Sequence, residues 1–213
     1  MSDYELIPDV FVSVTPAGAY YAVGSAEDEP ARRLLFGILA EPRTPALSVE
    51  RLCEWSGESS ADDALALLHR VQSVGWVSAE STARDVPGMR MEQDMPALLR
   101  QLSDRQRALL ADPEGFQLAN SGFTHEAAEQ LAALAAELAA IHQRYRGLLR
   151  GNLRLNAGGL ATVDAAGHSQ LGLWPLSVRG QGFLLVIAGA PQLDRRAFAD
   201  AVWGLAHRYA AAA

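Results

Sequence analysis

The sequence predicts a mixed α/β (α+β) chain in two parts, on three observations. The first 79 residues hold a hairpin candidate, three short amphipathic helices and an edge strand. Residues 80–93, ESTARDVPGMRMEQ, are polar and contain Pro-Gly, which reads as a linker. After residue 94, five strand-like runs alternate with helices in the order α-β-β-α-β-β-β-α, which suits two packed layers.

In the first part, Val10 to Val23 reads as VFVSV, a turn at Pro16-Ala17-Gly18, then AYYAV, which predicts a hairpin. Glu29-Pro30 starts a helix with Leu34, Leu35, Ile38 and Leu39 on one face and Pro42 at its end. Ser48 caps the next, with Val49, Leu52 and Trp55 inward and Gly57 closing it. Ser59 or Ser60 caps a third helix, with Leu65, Leu67, Leu68, Val71 and Val74 apolar before Gly75. The short run Trp76-Val77-Ser78 is the edge strand. Hairpin, three helices and strand have winged-helix-like content, so the expected domains are 1–79 and 94–213 with 80–93 between them.

The second part opens with the amphipathic helix of Met95 to Leu102. Next comes ALLADPEGFQLANSGF. Asp112, Pro113 and Gly115 supply turn chemistry between two apolar runs, which predicts a hairpin. If that hairpin belongs to a central sheet, Phe116→Asp is expected to unfold the second part. Thr124 caps a helix running to about Arg150, with Glu126 and Glu129 near its positive end. Strands are expected over 158–164, 168–178 and 182–189, with turns at Ala165-Ala166-Gly167 and Arg179-Gly180-Gln181. The Gly-rich Asn156-Ala157-Gly158-Gly159 lacks a phosphate-loop pattern and reads as a turn or bulge. Asp194 caps a last helix carrying Phe198, Val202, Leu205 and Tyr209.

Composition narrows the function. The chain has 213 residues and is 49% hydrophobic and 20% charged, as folded proteins are. No run approaches the roughly 18 apolar residues that span a bilayer, so no membrane partner is expected. The N-terminus shows no signal peptide, and Cys53 is the single cysteine, so a cytoplasmic protein is expected. All 18 basic residues are Arg. Residues 1–86 carry 14 acids against 6 Arg, a net of −8, while the remainder is +1. An N-terminal half this acidic repels a phosphate backbone. Its third helix also presents Asp62 and Asp63 where a DNA reader needs basic groups, so nucleic-acid binding is disfavoured.

The order of elements and the words ALLADPEGFQLANSGF, HEAAEQLAALAAELAAI, LGLWPLSV and GFLLVIAG resemble the roadblock / dynein light-chain family, related to longin domains. The resemblance covers about residues 94–210. It implies a non-enzymatic regulatory scaffold that homodimerises and engages a small Ras-like GTPase, in some bacterial members as a dimeric GTPase-activating partner. The stretch RGNLRLNAGGL is a departure that leaves the third strand's register open. The first part is similar to peptide-binding winged-helix modules of ribosomal-peptide modification, and equally to a generic winged helix. A peptide-binding adaptor and a transcriptional regulator therefore stand beside the scaffold reading.

Helix 125–150 carries the candidate site. At 100° per residue, Leu131, Leu134, Ala135, Leu138, His142, Tyr145 and Leu149 share a face expected to pack on the sheet. The opposite face holds Glu129, Ala132, Ala133, Ala136, Ala140 and Gln143, small and apolar enough to suggest a dimer or partner seam. Two alternatives are that alanine serves only helix propensity, or that the first domain covers this face. Arg144 and Arg146, with Arg150, either complement the helix dipole or reach toward an acidic region of a GTPase. The five His are scattered without metal-ligand spacing, and Cys53 sits between Leu52 and Trp55 as a core thiol. No metal, no cofactor and no catalytic constellation is expected.

Overall fold

The computed structural model describes residues 4–87, 90–155 and 158–210. In chain order the elements are β1 (Phe11–Val14), α1 (Pro16–Val23), α2 (Pro30–Ala40), α3 (Val49–Ser56), α4 (Ala61–Ser73), β2 (Val77–Glu80), α5 (Met95–Gln101), β3 (Ala108–Ala111) and β4 (Gln117–Ser121). They continue with α6 (His125–Arg144), a π-helical turn (Gly147–Asn152), β5 (Leu160–Val163), β6 (Ser169–Val178), β7 (Gln181–Ala188) and α7 (Arg196–Arg208). The chain divides into two compact units. One comprises 1–88, 178–180 and 198–213, and the other 89–177 and 181–197. This differs from the expected 1–79, 80–93 and 94–213 in two places. Residues 84–86 are bonded into the first unit through Thr44 N–H to Arg84 O and Val86 N–H to Pro42 O. The last helix, from Phe198 on, also belongs to that unit.

In the first unit the expected hairpin over Val10 to Val23 does not form. The second half is helix α1, because Thr15 and Pro16 are an N-cap and a first-turn proline rather than a β-turn. Thr15 Oγ1 accepts the Gly18 N–H at 3.1 Å. Gly18 lets α1 lie against the chain at Trp76, where a Cβ would sit 2.1 Å from the carbonyl oxygen. β1 instead pairs antiparallel with β2, Val14 opposite Val77 and Phe11 opposite Glu80. Two strands and four helices thus replace the hairpin and three helices of a winged-helix-like layout. The other signals hold: Ser48 and Ser60 cap α3 and α4, and Gly57 ends α3 at φ 73°. Leu34, Leu35, Leu52, Leu67 and Val71 are buried, whereas Val74 is exposed. Arg32, also buried, donates to Ala22 O and Glu27 O, which satisfies the carbonyl end of α1.

α7 completes this core. Phe198, Val202, Trp203 and Leu205 are buried. Trp203 Nε1 donates to Glu41 O at 2.8 Å, and His207 Nδ1 donates to Ala40 O at 2.7 Å, so α7 side chains cap the carbonyl end of α2. Arg84 pairs with Asp200 at 2.7 Å and lies over the Trp203 ring. α7 starts at Arg196, two residues beyond the expected cap Asp194.

The second unit is built on a five-stranded antiparallel sheet in the order β4-β3-β7-β6-β5. The hairpin β3–β4 forms as the turn chemistry predicts. Asp112 Oδ1 accepts the Phe116 N–H at 2.8 Å, and Gly115 takes φ 91°. Phe116 itself is 69% exposed, so it is not a core residue and Phe116→Asp has no packing to disrupt. Phe116 lies in the turn just before β4, whose pairing with β3 shifts register between Leu110 and Ala111. Tight turns at Gly167 and at Arg179-Gly180 join β5, β6 and β7. The expected turn at 156–159 lies partly outside the described residues.

Candidate functional site

α6 lies across β3, β4 and β7, and its buried face meets the expected one only at Ala135, with Leu131 and Leu138 half-buried at its margin. Ala128, Ala132 and Ala135 are buried with Leu109, Ala111, Leu173, Leu184 and Val186. Leu131, Ala136, Leu138 and Ala139 flank them. Leu134 and Tyr145, expected inside, are 43% and 51% exposed. The rotation has a packing cause. The β3–β4 turn presses on the helix at Gly115, where a Cβ would stand 3.1 Å from the Ala133 Cα and 3.3 Å from Ala136 Cβ. Only alanines allow the two backbones that approach. A leucine at 132 would hold them apart.

The candidate seam therefore splits. Ala132 is fully buried and Ala136 half-buried inside the unit, so neither is available as a seam. Glu129, Ala133, Ala140 and Gln143 are exposed, with Glu129 3.3 Å from His125 Nε2. Arg144 is exposed and Arg146 half-buried. The exposed apolar line is instead Leu134, Ile141 and Tyr145, spaced i, i+7, i+11 on one stripe of the helix. The sequence held this signal, because the three share a stripe with Leu138. An apolar stripe does not announce whether it faces in or out.

Beside that line runs a groove of about 270 Å³ between α6 and the β5–β6 edge. Leu131, Leu134 and Leu138 form one wall, and Leu160, Leu171 and Leu173 the other. β5 pairs only with β6 among the described residues, so its outer edge offers unpaired backbone groups. Ala161, Thr162 and Val163 on it are exposed. Helix line, groove and open edge thus form one apolar face of the second unit.

The α-helix ends at Arg144 rather than near Arg150. Beyond it the hydrogen-bond ladder widens, Leu153 N–H reaching Leu148 O and Leu155 N–H reaching Leu149 O. Half-burial and the neighbouring Arg150 and Arg146 guanidiniums together lower the proton affinity of His142, which keeps it neutral further into the acid range. Among the described residues no group of three His, Cys, Asp or Glu is placed to hold a metal ion. The Cys53 thiol points to Ser60 O at 3.7 Å.

From α5 to β7 the second unit follows the expected α-β-β-α-β-β-β order, and the expected closing helix falls, from Phe198 on, in the first unit. The chain is similar to the crystal structure of a Roadblock/LC7 domain from Streptomyces avermitilis, at 16% identity over 55% of this chain and 93% of that one, with a TM-score of 0.38. It is similar also to Myxococcus xanthus MglB, at 18% identity over 55% of this chain and 95% of that one, with a TM-score of 0.37. No family model and no curated protein matches the sequence.

Proposed function

We propose that this protein is a cytoplasmic regulatory scaffold without catalysis of its own. It pairs with a second copy through the α6 line and the β5 edge and binds a small Ras-like GTPase. The exposed line of Leu134, Ile141 and Tyr145 beside the groove and the open β5 edge carries the reading. Apolar side chains this exposed, next to a groove of about 270 Å³, suit insertion of the same residues from a partner related by a two-fold axis. Edge pairing of β5 with its copy extends the sheet and removes the open edge. The GTPase comes from the resemblance alone, with Arg144 and Arg146 as the candidate contacts to an acidic surface.

Light scattering on the full chain tests the pairing. The wild type is expected at twice the chain mass, and the double variant Leu134→Asp/Ile141→Asp as a monomer with unchanged circular dichroism. A monomeric wild type overturns the pairing. Titration against Ras-like GTPases loaded with GDP or a non-hydrolysable GTP analogue tests the partner. Nucleotide-dependent micromolar binding supports it, and absence of binding to every one overturns it.

One observation favours a second reading, the peptide adaptor. β2 pairs only with β1 among the described residues, and a groove of about 110 Å³ lined by Leu6, Val10, Leu68 and Val77 adjoins it. Strand addition there would protect the amides of residues 77–80 from exchange when a binding peptide is present.

A further inference from the structure

Between Glu137 and Asp164 the chain carries no acid, but it carries Arg144, Arg146, Arg150, Arg154 and His142. Residues 165–193 lack acids too, for a different reason, because they are mostly the strands β6 and β7 of the core. Residues 147–155 are the opposite of core. No residue of the π-helical turn is buried. Leu148, Leu153 and Leu155 are 46%, 56% and 47% exposed. A Cβ added at Gly147 or Gly151 would meet nothing within 4 Å, so the turn is open at both glycines, while Leu149 and Arg150 are half-buried. None of its residues lines the groove beside α6.

Exposed leucines interspersed with arginines, on a helical turn with no acid beside them, are the composition of a segment that lies in a lipid headgroup layer. We propose that residues 147–155 rest on an anionic bilayer surface. Leu148, Leu153 and Leu155 enter the acyl boundary, while Arg150 and Arg154 extend to lipid phosphates with their stems along the apolar layer. The Arg146 and Arg150 guanidiniums, which lower the proton affinity of His142, make this end of α6 positive. A protein partner for the same leucines would need a concavity or a facing helix, and the neighbouring concavity belongs to the α6 line. A lipid surface needs neither. The attachment is peripheral, since no helix among the described residues is long and apolar enough to cross a membrane. The sequence-based expectation of no membrane partner rested on the lack of a span, which a surface-lying segment does not require.

Co-sedimentation of the full chain with vesicles tests this. Phosphatidylcholine vesicles containing about a quarter phosphatidylglycerol are expected to bind at least about tenfold more protein than phosphatidylcholine alone, with the excess falling as salt is raised. Leu148→Asp/Leu153→Asp, and separately Arg150→Gln/Arg154→Gln, are each expected to lose that excess while circular dichroism and mass by light scattering stay unchanged. If the leucine variant fails to fold, the arginine pair decides. No binding to either vesicle, or an excess that survives the arginine variant, overturns the proposal. Retention on immobilised polyglutamate without vesicle binding overturns it as well and gives the surface to an acidic protein.

Discussion

Two stretches of this chain look alike on paper and fold differently. Phe11 to Val23 and Ala108 to Ser121 are both apolar runs broken by a proline and a glycine. The first becomes strand then helix, the second a hairpin. The decisive residues stand around the proline. In Asp112-Pro113-Glu114-Gly115, Asp accepts a backbone N–H four residues on, and Gly takes a positive φ that returns the chain antiparallel. In Thr15-Pro16-Ala17-Gly18, Thr accepts an N–H three residues on and proline holds a helical φ. Gly18 is needed for space against Trp76, not for a left-handed turn. A Pro-x-Gly between apolar runs is therefore ambiguous until the residue before proline is read as a cap or a turn corner.

The largest break in this comparison is expected at Gly18. Gly18→Val places a Cβ into the Trp76 carbonyl and forces α1 away, at a cost of about 3 kcal/mol or more by chemical denaturation. Gly115→Val strains a residue at φ 91° and crowds Ala133, for about 1–3 kcal/mol, with the hairpin retained by amide exchange. Thr15→Ala removes the α1 cap and the Oγ1–H bond to Gly75 O, costing about 1–2 kcal/mol. Asp112→Ala removes one bond in an exposed turn, for about 0.5–1 kcal/mol.

Only the first stretch holds phenols, and the titration of one separates the two stretches in the alkaline range. Tyr21 is pushed up to about 12, first by burial and then by its hydrogen bond to Glu29. A phenol raised in the folded state contributes stability that is complete below its ordinary value near 10. That stability is lost as pH rises toward 12. Stability measured across this window should fall less steeply in Tyr21→Phe than in the wild type. Equal slopes would remove Tyr21 as the cause.

The α6 helix shows where sequence reading runs out. Its start at Thr124 and its helical character were legible, because a cap and alanine propensity act within one turn. Which stripe faces the sheet was not. Leu134 and Ala132 exchange roles because the β3–β4 turn presses on the helix at Gly115, and nothing near residue 132 in sequence encodes that approach. The proposed interface moves with the rotation, from the small residues to Leu134, Ile141 and Tyr145.

The sequence by itself determined the caps of α3, α4 and α6, the acid-glycine hairpin, the turns between β5, β6 and β7, and the five strands of the second unit. Each rests on hydrogen bonds or dihedral limits that close within a few residues. The tertiary structure decided that β1 pairs with β2, that α7 completes the first unit, and which face of α6 is left bare. Those outcomes depend on surfaces brought together from distant parts of the chain. An apolar run records that it will be buried, and the partner that buries it is set by the fit of the assembled core.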